Sequence, residues 1–444
     1  MNARRSITVV ALIAVLALLA FQLRGLFADP TVWPPDDFVE YYAAGQLNAH
    51  GENPYDPEKL LPIEQRAGRK TDEAIMMWNP PWTLPFVMPF GMLSARLSQL
   101  LFLAISLAMV LISADGLWRL NGGDPHRRWI SWAIALTFMP TLFVLQAGQI
   151  GAFLLFGCYL YLWCMKSDRL MIAGAAMIFL AIKPHLFVLV WVAILFEFRW
   201  RVWLGGIIAG VIASLIAIAL NPSVFAQFQD AITNRPPAQW VSPTLGTVLR
   251  MGFGVEWFRL QFVPMVLGLV WFAWWWWTHC HISPERELPW LLLVSFVVAP
   301  YGAWPYDLVV LLVPAIRLAA LRGPLAPRAD SASGLSERGP LAPRVDSFRT
   351  QPESTRGASG PREVSNPQTE STRGASGPRE VSNPQTESTR GASGPRPFLI
   401  AYLLINFAAL VMNLLHLSSF WFIWMSPVWL LTYALLIPRM ERPC

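Results

Sequence analysis

Apolar runs able to enter a bilayer alternate with short charged clusters along most of the chain. They lie near 7–27, 97–118, 129–145, 149–165, 170–182, 184–198, 203–220, 260–278, 289–301, 305–321, 397–415 and 420–437. This pattern predicts an all-α, polytopic transmembrane bundle of about 12 spans, within a range of about 10 to 13. Several runs are shorter than the ~20 residues of a full crossing. Those meeting at Lys183-Pro184 and Trp304-Pro305 are therefore predicted to form hairpins whose tips stop inside the interface. The 80–93 run carries Pro81, Pro85 and Pro89, and it predicts a partial or re-entrant helix, because proline removes an amide donor and crowds the preceding turn.

Composition agrees with that pattern. Of 444 residues, 55% are hydrophobic, 14% are charged and 22 are tryptophan, too apolar for a soluble multidomain protein of this length. The net charge of +6 comes from basic clusters between apolar runs. That distribution sets membrane orientation and calls for no nucleic-acid partner. The run from Ile7 passes Leu23 and resumes beyond Arg24, which is longer than a signal-peptide core and predicts an uncleaved first span. Arg4, Arg5, Arg119, Arg127, Arg128, Lys166, Arg169, Arg199, Arg201, Arg286, Arg317 and Arg322 fall on one side of twelve spans. With that side cytoplasmic, both termini are inside a multi-pass protein of the cell (inner) membrane. The 28–79 loop, Gln146 to Gln149, Lys183, the 221–259 loop and Trp304 to Asp307 then share the extracytoplasmic face.

Residues 323–396 are of another kind. Arg-Gly-Pro-Leu-Ala-Pro-Arg occurs from Arg322 and from Arg338, and Ser-Thr-Arg-Gly-Ala-Ser-Gly-Pro-Arg from Ser354, Ser371 and Ser388 at a period of 17. Such a Pro/Gly/Ser/Thr-rich repeat buries too little apolar area to fold. The expected organisation is a catalytic membrane region over 1–322, a disordered cytoplasmic insert over 323–396, and two C-terminal helices over 397–444.

The candidate chemistry gathers in the outer segments. Asp36 and Asp37 head a helical pattern in which Tyr41 and Ala44 share the Asp37 face. Asp37 can react with a substrate or cap the helix; with two aspartates adjacent, one can cap while the other reacts. Gly51 to Asp56 is a turn with Tyr55 embedded in it, and Trp78-Asn79-Pro80-Pro81-Trp82 is either an aromatic belt or the rim of a sugar or lipid-phosphate site. Lys183, between two apolar runs and followed by Pro184 and His185, needs an anion, water or carbonyl partner or must reach the headgroups. Asp307 begins a run nearly unaccompanied by charge, where it can cap a helix or serve the site, and Gln146 and Gln149 offer amides to sugar hydroxyls or backbone. Cys158, Cys164, Cys280 and Cys444 have no metal-type spacing, His279 and His281 have no partner cluster, and His416, at an outer helix end, is a candidate without an assigned role. There is no Gly-rich phosphate loop and no Gly-x-Ser-x-Gly elbow, so an activated substrate is expected to arrive through the membrane.

The order of Asp37-Phe38, Tyr41-Tyr42-Ala43-Ala44, Gly51-x-Asn53-Pro54-Tyr55-Asp56, Asn79-Pro80-Pro81, Gly148-Gln149 and Lys183-Pro184 ahead of Arg199-Trp200-Arg201 resembles glycosyltransferase family 87. These are polyprenol-phosphate-mannose-dependent mannosyltransferases of the GT-C class. The resemblance covers roughly 7–321 plus the last two helices. It implies a GT-C-type bundle with a structured extracytoplasmic first loop. It also implies inverting transfer of a sugar, mannose in the family, from a polyprenyl-phosphate donor to a lipid or glycan acceptor. No metal or cofactor is implied, since the lipid-linked sugar is a co-substrate. By order, Asp37 looks like the general base and Lys183 like the cation for the leaving phosphate, with Asp36, Tyr41, Tyr55, Asn79, Gln149, His185 and Asp307 as donor- or acceptor-binding candidates. Expected partners are membrane lipids, the donor and the acceptor. Family members often carry a histidine near the late Pro-rich segment, whereas Ala299 to Asp307 has none. A transporter or flippase of a lipid-linked or anionic solute is the alternative; it predicts internally repeated halves, and no such symmetry stands out in the helical part.

Overall fold

A computed structural model describes residues 37–322 apart from 198, 236–239, 255 and 279–282, then 396–437, and the isolated positions 13, 17, 20 and 21. The 7–27 run apart from those four positions, Asp36, His279, His281 and residues 323–395 of the repeat insert lie outside the described residues.

Every regular element among the described residues is helical. Helix α1 (Phe38–Ala49) is followed by α2 (Pro57–Arg66), whose Asp56 side chain accepts from Glu58 N, the usual satisfaction of an orphan first-turn amide. A 3-10 turn over Pro81–Thr83 enters the short α3 (Leu84–Gly91), and the 80–93 run is a partial helix, as its prolines dictate. Next come α4 (Ala95–Leu120), α5 (Trp129–Thr137) and α6 (Met139–Ala147), the last two bent by 58° to one another. At that bend Asn406 Oδ1 accepts from Met139 N at 2.7 Å and Thr137 Oγ1 meets the Tyr402 hydroxyl at 2.7 Å. Side chains thus satisfy backbone and hydroxyl groups where the helix is interrupted.

The chain continues through α7 (Gly151–Lys166), α8 (Leu170–Ala176), α9 (Val188–Phe196), α10 (Trp200–Leu220), α11 (Val224–Asn234) and α12 (Leu245–Phe253). It ends its described part with α13 (Val263–Thr278), α14 (Pro284–Val298), α15 (Leu312–Arg322), α16 (Arg396–Leu414) and α17 (Met425–Leu436). All the apolar runs from 97 to 437 carry helix. Taken singly, five helical stretches among the described residues are long and apolar enough to cross a membrane: 95–120, 200–220, 258–278, 397–414 and 419–436. The bent α5–α6 pair makes a sixth, while 151–166, 170–182 and 184–196 are apolar but shorter. Ile207, Val211 and Leu215 on α10, and Val266, Val270 and Trp277 on α13, are exposed. Such faces suit lipid, which is as apolar as they are.

Helix α1 packs on α3 through absent side chains. A Cβ at Gly45 would fall 2.6 Å from Val87 O, and one at Gly91 would fall 2.2 Å from Gln46 N. Both neighbours are backbone, so neither can rotate away. Gly91→Ala is expected to cost about 1–3 kcal/mol by overpacking, read as a lower melting temperature in detergent; unchanged melting would show that the two helices are free to separate.

Candidate functional site

Helix α1 projects Asp37, Glu40 and Tyr41 from one face, three to four residues apart. Asp37 N donates to Ala147 O at 3.1 Å, which pins the start of α1 to the end of α6. The Asp37 side chain makes no cap bond to the helix, so the capping alternative is not what the geometry adopts. Gly148 ends α6 with φ 65°, a left-handed conformation that glycine takes without strain. That turn delivers Gln149, whose Oε1 accepts from the Tyr41 hydroxyl at 2.8 Å.

Lys183 lies between 3-10 turns at Leu180–Ile182 and Pro184–Phe187, at φ −130°. Pro184 disfavours helix for the residue before it, so the chain must turn there. The ammonium is not alone: Nζ bonds Asp307 Oδ1 at 2.8 Å and lies 5.0 Å from the Tyr306 ring centroid. Asp307 is fully buried, and its Oδ2 accepts from Trp304 N at 3.2 Å. Two candidates that look separate in sequence form a single ion pair, in which Asp307 stands behind and Lys183 in front.

These elements surround one cavity of about 570 Å³. Asp37, Glu40, Tyr41, Asn79, Gln149, Lys183 and His185 line it, with Trp78, Trp240, Tyr301, Trp304 and Tyr306 supplying aromatic wall. His185 stacks on Tyr301 at 4.7 Å, Tyr301 meets Trp240 at 6.0 Å, and Trp240 meets Trp78 at 5.3 Å. Arg250 supports this wall by donating to Trp240 O at 2.8 Å. His185 Nε2 is buried and has no hydrogen-bond partner among the described residues, a state that costs free energy until a ligand fills it.

Two sequence candidates take supporting places. Tyr55 is buried outside the cavity, donates to Asn79 O at 3.1 Å and packs on Phe228. Its phenol is used up as a buttress, because the turn that carries it folds behind the 78–82 segment. Asn79 does line the cavity, and its Nδ2 donates one N–H to Ile182 O at 3.2 Å, while Trp82 Nε1 donates to Ala181 O at 2.9 Å. Together these bonds fasten the segment to the Lys183 turn. Among the described residues no group of three or more His, Cys, Asp or Glu could hold a metal ion.

Glu40 carries no mark in the sequence beyond a spacing of three from Asp37, which puts both on one helical face. It is 6% exposed. Burial first, and the Asp37 carboxylate next, hold its carboxyl well above the usual carboxylate range; α1 lies outside the candidate spans. Trp240, Tyr301 and Tyr306 likewise carried no signal beyond being aromatic in or beside outer segments.

A second cavity, about 520 Å³ and almost wholly apolar, lies between α9, α10 and the segment that follows α8. Ile178, Ala181, Trp191, Trp203, Gly210 and Leu215 contribute to it, and Trp82 lines both cavities. No curated protein and no solved structure matches this chain. Its residues 78–321, more than half its length, match glycosyltransferase family 87. The match takes in the Lys183–Asp307 pair, the aromatic wall and the apolar groove, and begins after α1. The chain is a membrane protein of apolar helices and belongs to glycosyltransferase family 87.

Proposed function

We propose that this glycosyltransferase moves a hexose, mannose by the family resemblance, from a polyprenyl phosphate to a lipid or glycan acceptor on the extracytoplasmic face. The observation that carries the reading is the sharing of Trp82 between a polar cavity, which holds a carboxylate and an ammonium, and an apolar groove. A lipid-linked anionic sugar has that same division: isoprenoid in the groove, phosphate and sugar in the polar cavity. The accompanying topology is a GT-C bundle of about 12 spans with both termini cytoplasmic, which follows the arginine and lysine distribution.

In this mechanism Asp37 takes the proton of the acceptor hydroxyl as its oxygen bonds the anomeric carbon. The bond from that carbon to the phosphate oxygen breaks, and the electron pair leaves on the phosphate. Lys183, held by Asp307, keeps two further N–H donors for that growing charge. Attack opposite the leaving group inverts the anomeric centre. The aromatic wall suits the apolar face of a sugar ring, and His185 Nε2 is satisfied by a sugar hydroxyl or phosphate oxygen.

The test is incubation of membranes containing the protein with radiolabelled polyprenyl-phosphate mannose and, in parallel, polyprenyl-phosphate glucose. Label is expected in lipid or glycan from the mannose donor; transfer from glucose alone would keep the class and change the sugar, and transfer from neither would reject the reading. The groove has its own test. A Cβ at Gly210 meets nothing within 4 Å and Gly210 lines the groove, so Gly210→Phe is expected to fold and to project its ring into the groove. KM for a long-chain donor is expected to rise about tenfold, equivalent to two buried methylenes, with a short-chain donor little affected. An equal effect on both chain lengths would remove the isoprenoid from this groove.

A further inference from the structure

Helices α11 and α12 follow one another along the chain, and neither can cross a bilayer. Helix α12 has nine residues and is about 14 Å long, less than half of the ~30 Å hydrocarbon core. The outer surfaces of the two helices differ. On α11 the exposed Gln229, Asp230, Thr233 and Asn234 bond one another or the helix backbone, which suits water. On α12 the polarity is reversed. Leu245, Val248 and Met251, three residues apart on one face, are exposed, and with Val241, Phe253 and Trp257 on either side they bring six apolar side chains to the surface at 41% to 68% exposure. The polar residues of α12 are inside: Thr247 is 0% and Arg250 1% exposed. Thr247 Oγ1 accepts from Gln261 Nε2 at 3.0 Å, and a Cβ at Gly246 would fall 2.3 Å from Gln261 O. That face is therefore held against the 3-10 turn Phe258–Phe262, which leads into α13. In water both halves of this arrangement are unfavourable, since apolar surface is wetted and polar groups are buried; in hydrocarbon both are favourable. The exposed apolar surface also continues into α13, where Val263, Val266 and Val270 are exposed on a stretch apolar enough to cross. Between the two helices Trp257 is flanked by exposed Glu256 and Arg259, a grouping that belongs at the level of the headgroups.

We propose that α12 is an interfacial helix seated in the leaflet on the side of the polar cavity, with Leu245, Val248 and Met251 among the acyl chains, and that Arg250 carries this seating to the aromatic wall. The occupant of the exposed face is membrane lipid, for which an apolar face outside and a polar face inside is the favourable order. The inner face of α12 reaches the wall directly. Arg250 donates to Trp240 O at 2.8 Å, and Trp240 meets Tyr301 at 6.0 Å and Trp78 at 5.3 Å. A change in the depth of α12 therefore shifts one side of the polar cavity. This second half rests on the reading of that cavity as the place of the donor's phosphate and sugar; the seating of α12 does not.

Spin labels on Val248→Cys and Met251→Cys test the seating in the full-length protein in phosphatidylcholine vesicles, with Cys280 and Cys444 replaced by serine and Gln229→Cys on α11 as the water-facing reference. The labels on α12 are expected to collide with oxygen more than with a water-soluble nickel chelate, and the label on α11 the reverse. Nickel access on α12 equal to that on α11 would overturn the seating, and shielding from both reagents would overturn it in favour of a second copy or another protein. Kinetics test the link to the wall. Val248→Asp sets a charge among the acyl chains, and it is expected to raise KM for the lipid donor about tenfold, the effect of one lost aromatic contact, with kcat and melting in detergent little changed. Val248→Leu should keep the wild-type KM. With Trp240→Ala already in place, Val248→Asp should add nothing further, because two changes that act through one contact are not additive. An unmoved KM in Val248→Asp, or effects that multiply in the double variant, would overturn the link. A wild-type protein that transfers no sugar would reject the functional reading, while the labels would still decide the seating of α12.

Discussion

Asp37→Asn is expected to lower sugar transfer by roughly 10²–10⁴-fold, the range supplied by a positioned general base, with no loss of folded protein. Asparagine fills the same space, and the Asp37 main-chain amide that bonds Ala147 O at 3.1 Å is untouched. The side chain makes no helix-capping bond, so its replacement removes proton acceptance without removing a cap. The measurement is turnover of the lipid donor beside a melting curve of the same preparation. Transfer retained within a few-fold at unchanged melting would take the base role from Asp37 and leave Glu40 as the other acidic side chain described on the cavity wall.

Asp307→Ala is expected to destabilise the protein by about 3–5 kcal/mol, because removing one partner strands the other charge in a dry site. Asp307 is 0% exposed and Lys183 8%, so the ammonium left behind has only the water that the cavity admits on one side. Cys158 and Cys164 are buried and free, and their reaction with a thiol dye on heating reports the loss. The paired replacement Lys183→Met with Asp307→Leu should recover much of the stability, since two apolar side chains of similar volume often match a buried ion pair. It should not recover use of the lipid donor, for which the KM is expected to rise at least tenfold through loss of a charge-assisted contact. Full recovery of both properties would make the pair a structural element only.

Much of the architecture can be read from the chain because bilayer physics is simple. Apolar runs between charged clusters become helices, and the prolines at 81, 85 and 89 limit the 80–93 run to a 3-10 turn and eight helical residues. The breaks at Lys183-Pro184 and Trp304-Pro305 are equally local, since each depends on one proline. Length is less legible: among the described residues five stretches pass individually as spans, and other apolar helices are bent, short or next to 3-10 turns. Whether a break is tolerated is a matter of its neighbours: at the α5–α6 bend Asn406 and Tyr402 bond the groups that the break exposes.

The site divides the same way. Asp37, Asn79, Gln149, Lys183 and His185 attract notice singly, because a polar residue at a membrane edge is costly without a partner, and they do meet in one cavity. Tyr55 attracts equal notice and proves to be a buttress, since nothing local distinguishes a phenol facing a cavity from one facing a carbonyl 24 residues away. Glu40 is illegible for the opposite reason: that its carboxyl is 6% exposed on the wall of the cavity is a property of the packed surroundings, not of its neighbours in the chain.

By itself, then, the sequence determined the helical class, the breaks, the membrane setting and a short roster of polar side chains, all consequences of composition and spacing within about twenty residues. Tertiary structure alone decided that Lys183 belongs to Asp307 across 124 positions, that Tyr41 reaches Gln149 across 108, and that an apolar groove opens beside the polar cavity at Trp82. Partnerships of that range depend on which helices lie side by side, and burial then fixes the protonation and orientation of each group that they enclose.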